Sequence, residues 1–285
     1  MKLVSRLLVS SRPISWINTA FPFAVAYFLG TEKIDITLIV GAFFFLIPYN
    51  LLMYGVNDVF DYESDLTNPR KGGLEGALLE PKYHAATLWL SASFAAPFVI
   101  YLLLVGNLVS GAILLAVIFA VVAYSARYLR FKEIPVLDSF TSALHFLGPM
   151  LFGLALAGTS LTGLVVVMAT SAFLLWGMAS HAFGAVQDIR ADKNANIASI
   201  ATFFGANLTV KLAFVAYLAA ALVLLGLPGR FQFAALAALP YLFVTAREFA
   251  ITDETCETAN RGWKRFIWLN FFAGAIISSL LIGPS

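Results

Sequence analysis

The sequence predicts an all-α integral membrane fold of nine transmembrane helices, on three observations. The chain is 60% apolar with a mean hydropathy of +0.86, well beyond the usual apolar share of a soluble domain. Its apolar residues gather into nine runs of about the 17–25 residues that cross a bilayer as a helix. Its charged residues, only 12% of the total, are swept into alternate connections.

The runs lie at 13–30, 36–57, 85–105, 108–126, 136–157, 161–187, 208–226, 231–247 and 264–282. The first follows Lys2, Arg6 and Arg12 but has no small-x-small pattern before Thr31-Glu32-Lys33, so it reads as a retained helix and not a cleaved signal. The second and sixth run out into aspartates. Runs one and two, three and four, five and six, and seven and eight are joined by short links at 31–35, 106–107, 158–160 and 227–230. The connections 58–84, 127–135, 188–207 and 248–263 are long and polar. The acidic clusters close helices about four apart, which suggests two related four-helix units plus a ninth helix. The whole of 1–285 reads as one transmembrane domain.

With the N-terminus and long loops on one side, that side holds 16 of the 18 Lys and Arg, all but Lys33 and Arg230. The positive-inside rule makes it cytoplasmic, on a multi-pass cell (plasma) membrane protein whose C-terminus lies opposite. Fourteen of the 16 acids share that side, all but Glu32 and Asp35. Topology is driven by Lys and Arg alone, so the acids call for another reason. The lone Cys256 excludes an internal disulfide and offers no metal motif. Basic residues scattered over five segments argue against nucleic acid.

Two acidic clusters supply the chemistry. Asn57, Asp61 and Asp65 step by four and Asp58 to Asp61 by three, so they share a helical face. Asp188 and Asp192 repeat the step. Five unpaired aspartates at the bilayer centre would cost on the order of 12–18 kcal/mol, so they belong at the interface or in a wet cavity. The plain alternative is helix-end acids in solvated loops. Acids favour helix N-termini, whereas these sit where apolar runs end, at expected C-termini. Two carboxylate faces turned to one cavity would suit Mg²⁺, which takes one or two carboxylates, keeps waters and accepts phosphate oxygens.

Basic residues close by could complete a diphosphate clamp: Arg70, Lys71, Arg127, Arg130, Lys132, Arg190 and Lys193. Taken singly, each is accounted for by topology; beside five aspartates they fit a phosphate. Asn50 and Tyr54 lie seven residues before Asn57 and Asp61, and His181 seven before Asp188, two helical turns deeper on the same faces. Polar groups in a membrane tend to face a cavity, which makes them pocket-lining candidates. His181 could accept a proton or equally bridge two helices. The 26 Phe, 10 Tyr and 5 Trp could stabilise a carbocation, although packing and interfacial belts account for any single ring.

The pair Asn57-x-x-x-Asp61-x-x-x-Asp65 and Asp188-x-x-x-Asp192, on helices two and six of nine, resembles the UbiA superfamily of intramembrane prenyltransferases. The stretches Ser11-Arg12-Pro13-Ile14-Ser15-Trp16-Ile17-Asn18-Thr19, 48–73, 124–132, 177–202 and 251–270 resemble its bacterial lycopene elongase branch. The resemblance implies Mg²⁺-dependent transfer of a C5 group from dimethylallyl diphosphate to the terminal double bond of lycopene, drawn from the membrane lipid. Product would be a C45 or C50 acyclic carotenoid, with a carotenoid cyclase as possible partner. By position, Asn57, Asp61, Asp65, Asp188 and Asp192 match the family's metal–diphosphate and catalytic residues, with Asp58 in the same cluster. Tyr124 resembles its tyrosine-plus-lysine element, with Arg127 where a lysine is common. Rival readings are a sister enzyme acting on a quinone precursor, haem or glycerolipid, and an ion-coupled transporter. A phosphotransferase for CDP-activated groups lacks its Asp-Gly-x-x-Ala-Arg element here, since Asp61 is followed by Tyr62-Glu63.

Overall fold

In a computed structural model, which describes residues 2–66 and 78–282, the chain is helical, with no strand among the described residues. Seven segments are long and apolar enough to cross a bilayer: Ile36–Phe60, Pro81–Val105, Leu108–Ser125, Leu137–Leu156, Leu164–Val186, Ala206–Leu225 and Asp253–Leu281. They answer to seven of the nine expected runs. The other two differ. The first run becomes a 3₁₀ turn, Pro13–Ser15, and the shorter apolar helix Ile17–Thr31. The eighth divides between a 3₁₀ stretch, Gly229–Ala238, and only eight α-helical residues, Leu239–Ala246.

The chain divides into two compact units. The first, residues 1–131 and 144–161, holds α1 (Lys2–Ser10), α2 (Ile17–Thr31), α3 (Ile36–Leu46), α4 (Pro48–Phe60), α5 (Tyr62–Asp65), α6 (His84–Val105), α7 (Leu108–Ser125) and most of α8 (Leu137–Leu156). The expected run 36–57 is thus interrupted between α3 and α4, at Pro48, which has no N–H to continue the ladder. Asp35 caps α3 by accepting from Leu38 N–H at 2.9 Å, and Asn107 with Ser110 forms a capping box on α7. The core is aromatic: Phe45 meets Phe44, Phe23, Tyr49 and Phe152 at ring separations of 4.8–5.8 Å. Gly153 lets α8 approach α2; a Cβ there would lie 2.8 Å from the Phe23 carbonyl oxygen.

The second unit, residues 132–143 and 162–285, holds the first turns of α8 and then α9 (Leu164–Val186), α10 (Ile189–Asn194), α11 (Ile200–Phe204), α12 (Ala206–Leu225), α13 (Leu239–Ala246) and α14 (Asn260–Ile282). Its core gathers Phe183, Val186, Ile189, Val210, Tyr217, Tyr241, Cys256 and Phe266. Gly177 on α9 abuts Ala143 on α8, where a Cβ would come within 2.8 Å of the alanine Cβ. Small residues allow such approach between membrane helices.

Candidate active site

α4 carries the first cluster to its end. Asp61 terminates α4, yet its N–H bonds the Asn57 carbonyl at 2.9 Å, and the Asp65 N–H bonds the Asp61 carbonyl at 2.8 Å. The helical register therefore runs through the break and keeps Asn57, Asp61 and Asp65 on one face. The second cluster repeats the device: α9 stops at Val186, and the Asp192 N–H bonds the Asp188 carbonyl at 2.8 Å.

This corrects the expectation that the acids sit only at C-termini. Asp188 stands at the N-cap position of α10 and Asp192 lies in its first turn, while Glu63 and Asp65 lie in the first turn of α5. Short helices starting where the long ones stop give these acids N-terminal positions, which favour negative charge.

Asp58, Asp61 and Asp65 are 1%, 4% and 7% exposed. Asn57 Nδ2 donates to Asp61 Oδ2 and, at 3.0 Å, to Ser125 Oγ on α7. Arg130 lies 3.8 Å from Asp61 Oδ1 and donates to the Phe60 carbonyl at 3.4 Å. Asp58 accepts from Ser10 Oγ at 2.7 Å and from Arg12 at 3.3 Å, and Arg12 also reaches Asn57 Oδ1 at 3.4 Å. Burial is the largest effect on the Arg12 charge and works against it, but Asp58, Tyr54 and Asp65 together outweigh it and hold the guanidinium above its ordinary value. Tyr54 lies under that guanidinium, 4.1 Å from its carbon.

In the second unit, Asp192 Oδ2 accepts from Ser199 Oγ at 3.3 Å. The basic residues here are tied to other acids. Lys193 donates to Asp253 at 2.7 Å, which raises its ammonium above the ordinary lysine value, and Arg190 pairs with Glu257 at 3.4 Å. Both basic side chains are more than half exposed. His181 Nδ1 bonds Ser139 Oγ at 3.0 Å; Ser139 N–H in turn bonds Asp138, which also accepts from Ile200 N–H, each at 2.6 Å.

Other expected positions differ. Asn50 lies at 0% exposure, donating to Thr19 Oγ1 and to the Phe45 and Leu46 carbonyls, so it knots α2, α3 and α4 together and does not line an open wall. Tyr124 packs edge-on against His145 at 5.1 Å. Arg127 is exposed over Tyr128, and Lys132 sits in the 3₁₀ turn Phe131–Glu133. The loop 126–136 holds Tyr128, Arg130 and Val136 at positive φ, a conformation side chains rarely adopt, least of all β-branched ones. Arg70 and Lys71 fall outside the described residues. Ser10, Arg12, Ser125, Asp138 and Ser139 join these networks only in the structure, because side chains near span ends carry no periodic signal that singles them out.

Among the described residues, no three His, Cys, Asp or Glu side chains converge as a ready-made metal cage. The hard oxygen donors instead come as the Asn57–Asp61–Asp65 ladder and the Asp188–Asp192 pair. That set fits Mg²⁺, which uses one or two carboxylates and completes its octahedron with water and substrate oxygens.

A lycopene elongase/hydratase of Corynebacterium glutamicum (strain ATCC 13032) is 50% identical, over 99% of this chain and 98% of its own. The C(50) beta-cyclic carotenoids biosynthesis protein LbtBC of Dietzia sp. (strain CQ4) is 53% identical over 98% of this chain, which spans 65% of that protein's length. In fold, the chain is similar to a UbiA homologue from Archaeoglobus fulgidus solved with GPP and Mg²⁺, with a TM-score of 0.69 and 17% identity over 95% and 99% of the two chains. The model of the UbiA prenyltransferase family matches residues 19–278. That match covers most of the chain and includes both aspartate clusters. It sets aside the transporter and phosphotransferase readings: the chain is a multi-pass membrane prenyltransferase and belongs to the UbiA prenyltransferase family.

Proposed function

We propose that the chain transfers a dimethylallyl group from dimethylallyl diphosphate to the terminal double bond of lycopene, and at both ends gives a C50 acyclic carotenoid. The observation that carries this reading is the 50% identity, nearly end to end, to a lycopene elongase/hydratase. Asn57, Asp61 and Asp65 in one unit and Asp188 and Asp192 in the other would each hold Mg²⁺. The chemistry Mg²⁺ supplies when bound is charge neutralisation on the diphosphate, making it a leaving group. Arg130 beside Asp61 adds positive charge for the same anion. Arg70, Lys71, Tyr124, Arg127 and Lys132 remain further diphosphate contacts in this reading, whereas Arg190 and Lys193 would reach the anion only by leaving Glu257 and Asp253.

The dimethylallyl C–O bond breaks and its electron pair leaves with the diphosphate. The lycopene double bond supplies the pair for the new C–C bond, and the tertiary cation left behind loses a proton or takes up water and then loses one. His181, its ring set by Ser139, is our candidate acceptor of that proton. A hydrocarbon acceptor needs no polar recognition and can enter from the bilayer. The finer parts of the proposal are nine crossings, with 17–31 and 229–246 added to the seven, as two four-helix halves plus a ninth helix. They also include a cytoplasmic N-terminus and site opening in the cell membrane, a C-terminus opposite, and a carotenoid cyclase that takes the product.

Expression in lycopene-accumulating cells should yield pigment heavier by one or two C5 units with scarcely altered colour, because the terminal double bond lies outside the conjugated run. Purified protein with Mg²⁺ and labelled dimethylallyl diphosphate should label lycopene. Label entering only a quinone precursor, haem or a glycerolipid would overturn the lycopene assignment.

A further inference from the structure

Both oxygens of Asp58 are engaged by the segment just before the first apolar helix. Ser10 Oγ holds Oδ2 at 2.7 Å and Arg12 holds Oδ1 at 3.3 Å, residues 48 and 46 positions away in sequence. The Asp58 side chain is fully buried, so its charge is offset by Arg12 and not by water. Removing one partner of such a pair leaves an uncompensated buried charge.

Arg12 is held for this contact and held loosely. Its backbone has φ 51°, a left-handed conformation costly to a side-chain-bearing residue, fixed by a turn in which Ser15 N–H bonds the Arg12 carbonyl at 2.8 Å. The guanidinium rests on Tyr54. One terminal nitrogen is shared between Asp58 Oδ1 and Asn57 Oδ1 at 3.3 and 3.4 Å, and the buried Nε makes no hydrogen bond among the described residues. A committed arginine–carboxylate pair is shorter and two-pronged.

Asn57 Oδ1 is the only amide atom that can ligate a cation, because the nitrogen is a donor, and Arg12 sits on it. A guanidinium and a divalent ion cannot share that oxygen without strong repulsion, so a cation held by Asn57 would have to displace Arg12 from it. We propose that Arg12 is the internal counter-ion of the first cluster, a positioning residue that neutralises Asp58, keeps the Asn57 nitrogen turned to Asp61, and sets how tightly the cluster takes a divalent cation. Asp58 is then the anchor of Arg12 and not a metal ligand; Asp61 and Asp65 supply the charge a cation meets. This inference rests on the metal reading of the cluster.

The test is Mn²⁺ binding to the purified full chain, read from the loss of the free Mn²⁺ paramagnetic signal, in an Asp188→Asn background so that the first cluster reports. A unit charge about 6 Å from a divalent ion shifts its affinity by about tenfold even at the dielectric of water, about 80, and by more in a less screened site. Arg12→Gln should therefore tighten Mn²⁺ about tenfold and Asp58→Asn weaken it about tenfold. The double variant, its charge balanced again, should return to within about threefold of the background protein. Should Arg12→Gln not fold, Arg12→Lys gives the same comparison, retaining the affinity that Asp58→Asn loses. An unchanged or weakened affinity in Arg12→Gln, or a double variant as weak as Asp58→Asn, overturns the inference alone, and the latter makes Asp58 a ligand. Background protein whose Mn²⁺ uptake is absent or indifferent to Asp61→Ala overturns the metal reading itself and this inference with it.

Discussion

The two aspartate clusters follow the same backbone rule and live in opposite surroundings. In each, a long helix stops, a short one begins, and an i to i+4 hydrogen bond keeps the acids on one face. The first cluster is buried, with cations drawn onto it: Arg12 on Asp58 and Arg130 near Asp61. The second is more open, and Arg190 and Lys193 are turned away to Glu257 and Asp253. Spacing decides which side chains share a face; distant chain segments decide how much of their charge remains for a ligand.

The largest effect should come from the shared feature. Asp61→Ala and Asp188→Ala should each lower turnover by at least about 10²–10³-fold, the loss expected when one preorganised electrostatic group is removed, with unfolding temperature nearly unchanged. Full activity in either variant would break the two-cluster model.

Asp138 is the counter-example, a buried acid with a structural duty. Asp138→Ala strands the N–H groups of Ser139 and Ile200 and should cost about 2–6 kcal/mol, at about 1–3 kcal/mol per unsatisfied donor, read as a lower unfolding temperature in detergent. A stable Asp138→Ala protein would erase the distinction between the two kinds of buried acid.

The cations sharpen the contrast. Arg130→Gln should raise KM for dimethylallyl diphosphate about tenfold or more, as for the loss of a charge-assisted contact. Lys193→Gln breaks an exposed, solvent-screened pair and should change KM less than about twofold. Equal rises would mean that Lys193 leaves Asp253 for the diphosphate.

The smallest effect belongs to the cap of α3. Asp35→Ala should cost about 0.5–2 kcal/mol. Accepting from Leu38 N–H holds the Asp35 carboxyl below the ordinary aspartate value of 3.8. The contribution is therefore complete above that value and lost only as pH falls through the lower folded one. Melting curves of wild type and variant should stay the same distance apart between about pH 5 and 8 and converge in acid.

Much of this was legible in the sequence where local periodicity governs. Seven of nine spans were found because an apolar run of bilayer length has few alternatives to a helix. The eighth differs in winding, since 229–238, rich in alanine, is 3₁₀, and hydropathy does not distinguish the two kinds of helix. Asn50 was placed on the right face with the wrong surroundings: Thr19 and the Phe45 carbonyl close over it. Arg12 was read as part of the positive-inside signal, because its partners lie more than forty residues away.

The sequence by itself determined the membrane class and the shared face of each carboxylate set, since composition and a four-residue step act over a short stretch of backbone, and its motifs carried the resemblance to the family. Only the tertiary structure decided that Asp58 is bound by Ser10 and Arg12, that Asn50 is a packing knot, and that Lys193 faces Asp253. The contacts of Asp58, of Lys193 and of Asn50 with Thr19 join residues 31 to 60 positions apart, and no short-range pattern encodes which distant side chain will arrive.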